Sequence, residues 1–215
     1  MYKFTKFDKA NMQMAYITAN LSYCQRRQVG AVIVRDDRVI ANGVNGTSKG
    51  TENICEDKYV VCGVCNKKVI LSKPMKKYKF KTYANQERIK SVYNKVVEED
   101  KQRARDAYYV ECHDVKCDTL IIFKEEHIEL TTNDKVIHAE QNAILFAARN
   151  GISINGTTMF VTTEPCIDCA KFIEASGIKK VIYRELYKNN NGVEYLQNNG
   201  VECYRYDVLD LQNGK

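Results

Sequence analysis

The sequence predicts a layered α/β protein, one sheet with helices packed on its faces, and three observations carry that expectation. From Val136 onward, short apolar runs alternate with amphipathic segments, the order of strand and helix that builds such a sheet. Near the start, a helix-spaced apolar stripe is followed by two short apolar runs separated by Asp36-Asp37, the pattern of a hairpin. A chain of 215 residues is long enough for one sizeable core. The lysine- and cysteine-rich middle, from Thr51 to about Thr132, therefore reads as an insertion at about 51–132 within a single domain spanning 1–215.

Taken in order, Asp8 suits the cap of a first helix reaching about Cys24, with Met12, Ala15, Tyr16 and Ala19 on one face and Ile17 and Leu21 widening the stripe. Val29 to Val34 and Arg38 to Asn42 form the arms of the hairpin. Arg26 and Arg27 stand just before it, and Gly43-Val44-Asn45-Gly46 just after. Inside the insertion lie Cys62-Gly63-Val64-Cys65, a basic stretch from Lys67 to Lys81, and a helix through Ile89, Val92, Tyr93, Val96 and Val97. Cys112-His113, Cys117 and a strand from Leu120 to Phe123 complete it. Beyond it, His138 to Arg149 is helical and stops at Gly151, a residue at ease in the left-handed turn that ends helices. Then follow a strand at Thr158–Thr163, a helix from Pro165 to Ser176 ended by Gly177, a strand at Val181–Tyr183, a short helix at Val193–Gln197 and a strand at Val201–Tyr206.

The net charge of +6 suits an anionic small molecule as well as a polynucleotide and does not choose between them. Met1 to Lys9 has no apolar core of signal-peptide length, and no run of about 18 apolar residues occurs. A soluble cytoplasmic protein is expected, with no membrane partner. Nine cysteines, an odd count without an export signal, favour metal-bound thiolates over disulfides.

The chemistry is concentrated in His138-Ala139-Glu140 and Pro165-Cys166-Ile167-Asp168-Cys169. One imidazole and two thiolates are three zinc ligands that leave the fourth tetrahedral position open to water. Glu140, two residues from the histidine, can stand beside that water as a proton carrier without being a ligand. Proline is favoured at the first helical position, so Pro165 is expected to start a helix with Cys166 and Cys169 on one face near its N-terminus, where thiolates are favoured. With His138 beginning the other helix, two helix N-termini would converge on one ion. Ala139 is small enough for its backbone amide to approach a ring carbonyl. H-x-E followed by P-C-x-x-C is the signature of zinc nucleobase deaminases, in which the glutamate shuttles protons while water attacks an aminated ring.

On these motifs with Ala170-Lys171, on Val29-Gly30-Ala31-Val32-Ile33 and Gly43-Val44-Asn45-Gly46, and on the run from Gln141 to Gly151 after the glutamate, whose Asn142-Ala143-Ile144 is the discriminating part, the chain resembles the deoxycytidylate deaminases, especially those of bacteriophages. The resemblance covers roughly Asp8 to Asn45 and Val136 to Tyr206. It implies a three-layer α/β/α cytidine-deaminase-like fold with a five-stranded mixed sheet and helices on both faces. It also implies one catalytic Zn2+ per chain, conversion of dCMP and water to dUMP and ammonia for thymidylate synthesis, and a homo-oligomer, commonly a hexamer, in the host cytoplasm if the source is viral. Asn45 matches the family asparagine that reaches sugar and base. Arg26 or Arg27 is the expected phosphate ligand, since a guanidinium grips phosphate bidentately, and Tyr187 and Lys188 match a substrate-side loop. Regulated members bind dCTP and dTTP near a Gly-Tyr-Asn-Gly segment. Val44 stands at its tyrosine here, so weak or absent allosteric control is expected. Some viral relatives also accept dCTP.

The insertion offers Cys62, Cys65, Cys112 and Cys117 as a second, structural zinc site, a C-x-x-C answered by C-H-x-x-x-C. Cys55 and His113 are alternatives, as is Cys24, at whose position the resemblance to a phage relative implies a ligand to a second zinc. Cys203 reads as core. Two rival functions remain: deamination of a base within tRNA or single-stranded DNA, for which the basic insertion would serve as a track, and a non-enzymatic zinc-stabilised nucleic-acid-binding protein. Against a polynucleotide substrate, the segment after Asn45 carries Gly46 and no aromatic interleaving comparable to a stacking platform. The non-enzymatic reading would lead one to expect Glu140 to be replaced.

Overall fold

The structure, a computed structural model, describes residues 2–71, 108–113, 119–123, 125–187 and 190–206. The chain divides into two compact units, Met1–Cys55 with Asn133–Lys215, and Glu56–Thr132.

The first unit is built on a five-stranded mixed sheet. Its strands are β1 (Gly30–Arg35), β2 (Arg38–Val44), β8 (Thr158–Thr163), β9 (Lys180–Glu185) and β10 (Glu202–Arg205), in the order β10-β9-β8-β1-β2. β1 is antiparallel to β2 and to β8, whereas β8, β9 and β10 run parallel. The parallel pairs need crossovers. Helix α3 (Ile167–Ala175) joins β8 to β9, and α4 (Asn191–Asn198) joins β9 to β10.

Both faces of the sheet are covered, which explains why β1 is apolar throughout instead of alternating. Val32, Val34, Phe160 and Ile182 point to one side and pack with Met12 and Ala15 of α1 (Lys6–Ala19). Their neighbours Ala31, Ile33, Met159, Val161 and Val181 point to the other. There they meet Ala143 and Ala147 of α2 (Ala139–Arg149), Ile173 of α3 and Leu196 of α4. The two-residue strand period thus sorts one sequence run into two cores, with α1 on one face and α2, α3 and α4 on the other among the described residues. This is the three-layer arrangement with a five-stranded mixed sheet that the sequence led us to expect. The β1–β2 turn places Asp36 and Asp37 at φ 47° and 61°, the left-handed pair that matches the twist of a two-residue hairpin.

Two boundaries differ from expectation. Thr5, not Asp8, caps α1: the Asp8 N–H donates to Thr5 Oγ1 (3.1 Å) and the Thr5 N–H to Asp8 Oδ2 (2.8 Å), a reciprocal box in which the acid is the third helical residue. The helix also stops at Ala19, well short of Cys24, because Ser22 is drawn out of it: Ser22 Oγ donates to the Asn45 carbonyl (2.8 Å) and Gln28 Nε2 to the Ser22 carbonyl (2.7 Å).

The second unit holds a three-stranded sheet, β4-β3-β7, from β3 (Glu56–Val61), β4 (Lys68–Ile70) and β7 (Glu129–Thr132), and a hairpin of β5 (Tyr108–Cys112) and β6 (Thr119–Phe123). Among the described residues its core is small: Val60 and Leu71 are buried, with Val69, Tyr108, Val110, Ile121 and Ile128 packed against them. The helix expected through Ile89 to Val97, and the basic stretch beyond Leu71, lie outside the described residues. No helix among the described residues is long and apolar enough to cross a membrane.

Candidate metal centre and active site

Three donor atoms meet where α2 and α3 begin. His138 is the N-cap of α2 and Cys166 the N-cap of α3, both with extended backbone (ψ 156° and 167°), and Cys169 follows in the first turn of α3. Pro165 therefore precedes the cap and does not open the helix, which brings Cys166 itself to the helix start. His138 Nδ1 lies 3.2 Å from Cys169 Sγ and 3.5 Å from Cys166 Sγ, and all three donors fall within 4.8 Å of one another. Bond lengths of about 2.3 Å to sulfur and about 2.0 Å to nitrogen put tetrahedral zinc ligands roughly 3.5 Å apart, so the cluster fits that ion.

Charge points the same way. Hydrogen bonding from Cys169, together with His138, pulls the Cys166 thiol down to about 4, while the same thiolate and burial push the Cys169 thiol up. His138 is raised by its hydrogen bond to Cys166. Two sulfurs competing for one negative charge are a donor set that a cation would satisfy. Glu140, the second residue of α2, is 4 % exposed, and burial raises its carboxyl to about 7. It sits against this cluster as a group able to hold or release a proton.

The helix starts are fixed from several sides. Gln141 Oε1 accepts from the His138 N–H (3.2 Å), and Asn142 Nδ2 donates to the Val44 carbonyl (2.6 Å), tying α2 to the end of β2. Gly43 of β2 lies so close to α2 that a Cβ there would stand 2.3 Å from the Ala139 carbonyl oxygen and 2.3 Å from the Ala143 nitrogen. A Cβ on Gly192 would stand 2.0 Å from the Pro165 carbonyl oxygen, so the start of α4 is pressed against the cysteine motif. Ala139 is fully buried. Sequence reading missed the packing roles of Gly43 and Gly192, whose signal, a glycine inside a strand and one in a helix's first turn, marks close backbone approach without naming the partner.

The expected substrate residues occupy neighbouring loops. Asn45 is half-buried; its Oδ1 accepts from the Val29 N–H (2.8 Å) and its Nδ2 donates to the Arg27 carbonyl (2.9 Å). The Asn45 side chain thus holds the segment that carries both arginines. Arg26 and Arg27 are exposed, and the Arg27 guanidinium lies 5.9 Å from the centre of the Tyr187 ring. The Tyr187 N–H donates to Oε2 of buried Glu164 (3.0 Å), which anchors that loop beside the end of β8. Lys188 lies outside the described residues.

In the second unit, Cys62, Cys65 and Cys112 bring their sulfurs within 4.8 Å of one another, and Cys117 lies outside the described residues. Of the alternatives, Cys24 and Cys55 are engaged with each other in a disulfide, because the chain leaving α1 early brings their Cα atoms to 5.1 Å, and both are buried. The preference for thiolates over disulfides fails for this pair. His113 is exposed, with Nε2 3.3 Å from Glu111 Oε2, directed to a carboxylate. Cys203, read as core, is half-buried on β10, and burial raises its thiol to about 12.

Comparison with known proteins adds three findings. A family model described as the cytidine and deoxycytidylate deaminase zinc-binding region matches residues 5–70 and 86–185. The deoxycytidylate deaminases of Enterobacteria phages T2 and T4 are each 36% identical to this chain, over 208 and 206 residues, covering 94% and 93% of it and 93% and 90% of their own lengths. Among solved structures, the dCMP deaminase of cyanophage S-TIM5 in complex with dCMP and dUMP aligns with TM-score 0.59 and 26% identity, over 95% of this chain and 100% of that one.

Proposed function

The chain belongs to the cytidine and deoxycytidylate deaminase zinc-binding family, and from that premise we propose that it converts free dCMP and water to dUMP and ammonia. The observation that carries this reading is the convergence of His138, Cys166 and Cys169 at two helix starts, with buried Glu140 two residues from the histidine.

His138 Nδ1, Cys166 Sγ and Cys169 Sγ would hold the zinc, which supplies Lewis-acid activation of a water at its remaining position. Glu140 accepts the proton released as the water oxygen bonds to C4 of the cytosine ring, and delivers it to N3. A second proton passes through the same carboxyl to the amino nitrogen, the C–N bond breaks, and ammonia leaves. Burial keeps Glu140 near the balance between its two forms, which suits a group that both takes and gives protons. Ala139, first residue of α2, has no acceptor for its N–H one turn earlier in the helix and can direct it to the ring carbonyl. Asn45 keeps one amide hydrogen for the sugar or base, and Arg26 or Arg27 grips the phosphate beside Tyr187.

A homo-oligomer, with a hexamer favoured, is supported by Phe7, Met14 and Ile17 of α1 and Leu145 and Phe146 of α2, large apolar side chains left exposed. A free-nucleotide substrate accords with a cytoplasmic location. The direct test is Glu140→Ala. dUMP formation should fall by about 10²-fold or more while catalytic zinc stays bound. Turnover that persists in this variant would sink the mechanism.

A further inference from the structure

We propose that Cys62, Cys65 and Cys112 form a second metal site, a structural thiolate site for zinc within the Glu56–Thr132 unit, separate in composition and purpose from the deaminase centre. Three observations meet here.

The first is geometry. The three sulfurs lie within 4.8 Å of one another, and Cys65 Sγ is 3.6 Å from Cys112 Sγ. That is far beyond a disulfide bond of about 2.05 Å. It is close to the roughly 3.8 Å between two sulfurs each bound at about 2.3 Å to a tetrahedral ion.

The second is how the backbone presents them. Cys62 and Cys65 stand in the turn between β3 and β4. The Cys62 N–H donates to the Lys67 carbonyl (2.9 Å) and the Asn66 N–H to the Cys62 carbonyl (2.8 Å), while Asn66 takes φ 58°. Asparagine is among the few residues with a side chain that enter this left-handed region readily, and here it closes the loop around the two thiols. Cys112 comes from elsewhere, the end of β5 in the second hairpin. Sulfurs from two hairpins, 47 residues apart in sequence, are brought to one point.

The third is need. The described core of this unit rests on Val60 and Leu71, with Val61, Val64 and Ile70 left exposed. So small a buried core among the described residues would be reinforced by a staple, and metal binding to thiolates is folding energy. Cys62 and Cys112 are 0 % and 3 % exposed, so the staple is internal. The donors that meet among the described residues are thiols, with His113 turned to Glu111, and thiolate donors select a soft tetrahedral ion such as zinc. The site is therefore structural.

The test uses the full chain purified under reducing conditions. Zinc is counted against protein by mass spectrometry for the unaltered chain and for Cys65→Ser, the least buried of the three. We expect about two zinc ions per chain, falling to about one in Cys65→Ser. A second measurement needs no variant: peptides carrying Cys62, Cys65 and Cys112 should be protected from alkylation in the zinc-loaded chain and modified several-fold faster after chelation. A single zinc in the unaltered chain, a second zinc that survives Cys65→Ser, or a Cys65–Cys112 disulfide in the reduced preparation would each overturn the site. The result is independent of deamination, since dCMP turnover reads the other centre.

Discussion

Asn45 shows how a residue named for one purpose serves another. Its resemblance to a substrate-binding asparagine was legible in Gly43-Val44-Asn45-Gly46, but its hydrogen bonds to the Val29 N–H and the Arg27 carbonyl were not, because they join residues far apart along the chain. The spacing of His138, Glu140, Cys166 and Cys169 was legible for the opposite reason: each pair lies within one helix start, where sequence distance dictates spatial distance. Two predictions belong at this scale. If a guanidinium grips the phosphate, then Arg26→Ala or Arg27→Ala lowers kcat/KM for dCMP by about 10- to 100-fold, the worth of a charge-assisted hydrogen bond, and leaves deoxycytidine untouched. Equal losses on both substrates, or none in either variant, would remove the arginines from the phosphate site. Val44 carries an aliphatic side chain where the sequence resemblance implies a tyrosine in regulated members, so dCTP and dTTP should change dCMP turnover little. Strong activation by dCTP would refute that.

The elements are held to the site by close backbone approach. β2 and α2 touch at Gly43, and α2 carries His138 at its cap and Glu140 in its first turn. Gly43→Ala must push apart backbone that cannot yield cheaply, so about 1–3 kcal/mol of stability is expected to be lost, together with turnover. Gly46→Ala, with open space around its Cβ, should leave the melting temperature unchanged. Equal melting of both variants would show that α2 is not positioned this way. The periodic elements β1, β2, β8 and α2 were legible because their apolar spacing matches a strand or helix packed on a large core. β3, β4 and β7 were missed: Glu56-Asp57-Lys58 and Glu129 are polar, and the strands are short and half-exposed. The early end of α1 was hidden for a related reason. Ile17 and Leu21 continue the stripe in sequence, yet both are exposed, and the bonds of Ser22 and Gln28 overrule it.

At the scale of the whole molecule, a sheet covered on both faces places two helix starts together and leaves the second unit to carry its own thiol cluster. Nine cysteines resolve into different uses: three sulfurs in the second unit, two at the deaminase centre, and the Cys24–Cys55 bridge among them. An odd total could not reveal that partition, since disulfide pairing depends on where chain segments return in space. The central claim is that this arrangement acts on a free deoxycytidine monophosphate. Its most direct test is kcat/KM for dCMP, dCTP, CMP, deoxycytidine and a tRNA substrate, each measured with the zinc-loaded chain. The account predicts that dCMP leads and yields one dUMP per ammonia released, whereas faster deamination of tRNA, or no dUMP from dCMP, would contradict it.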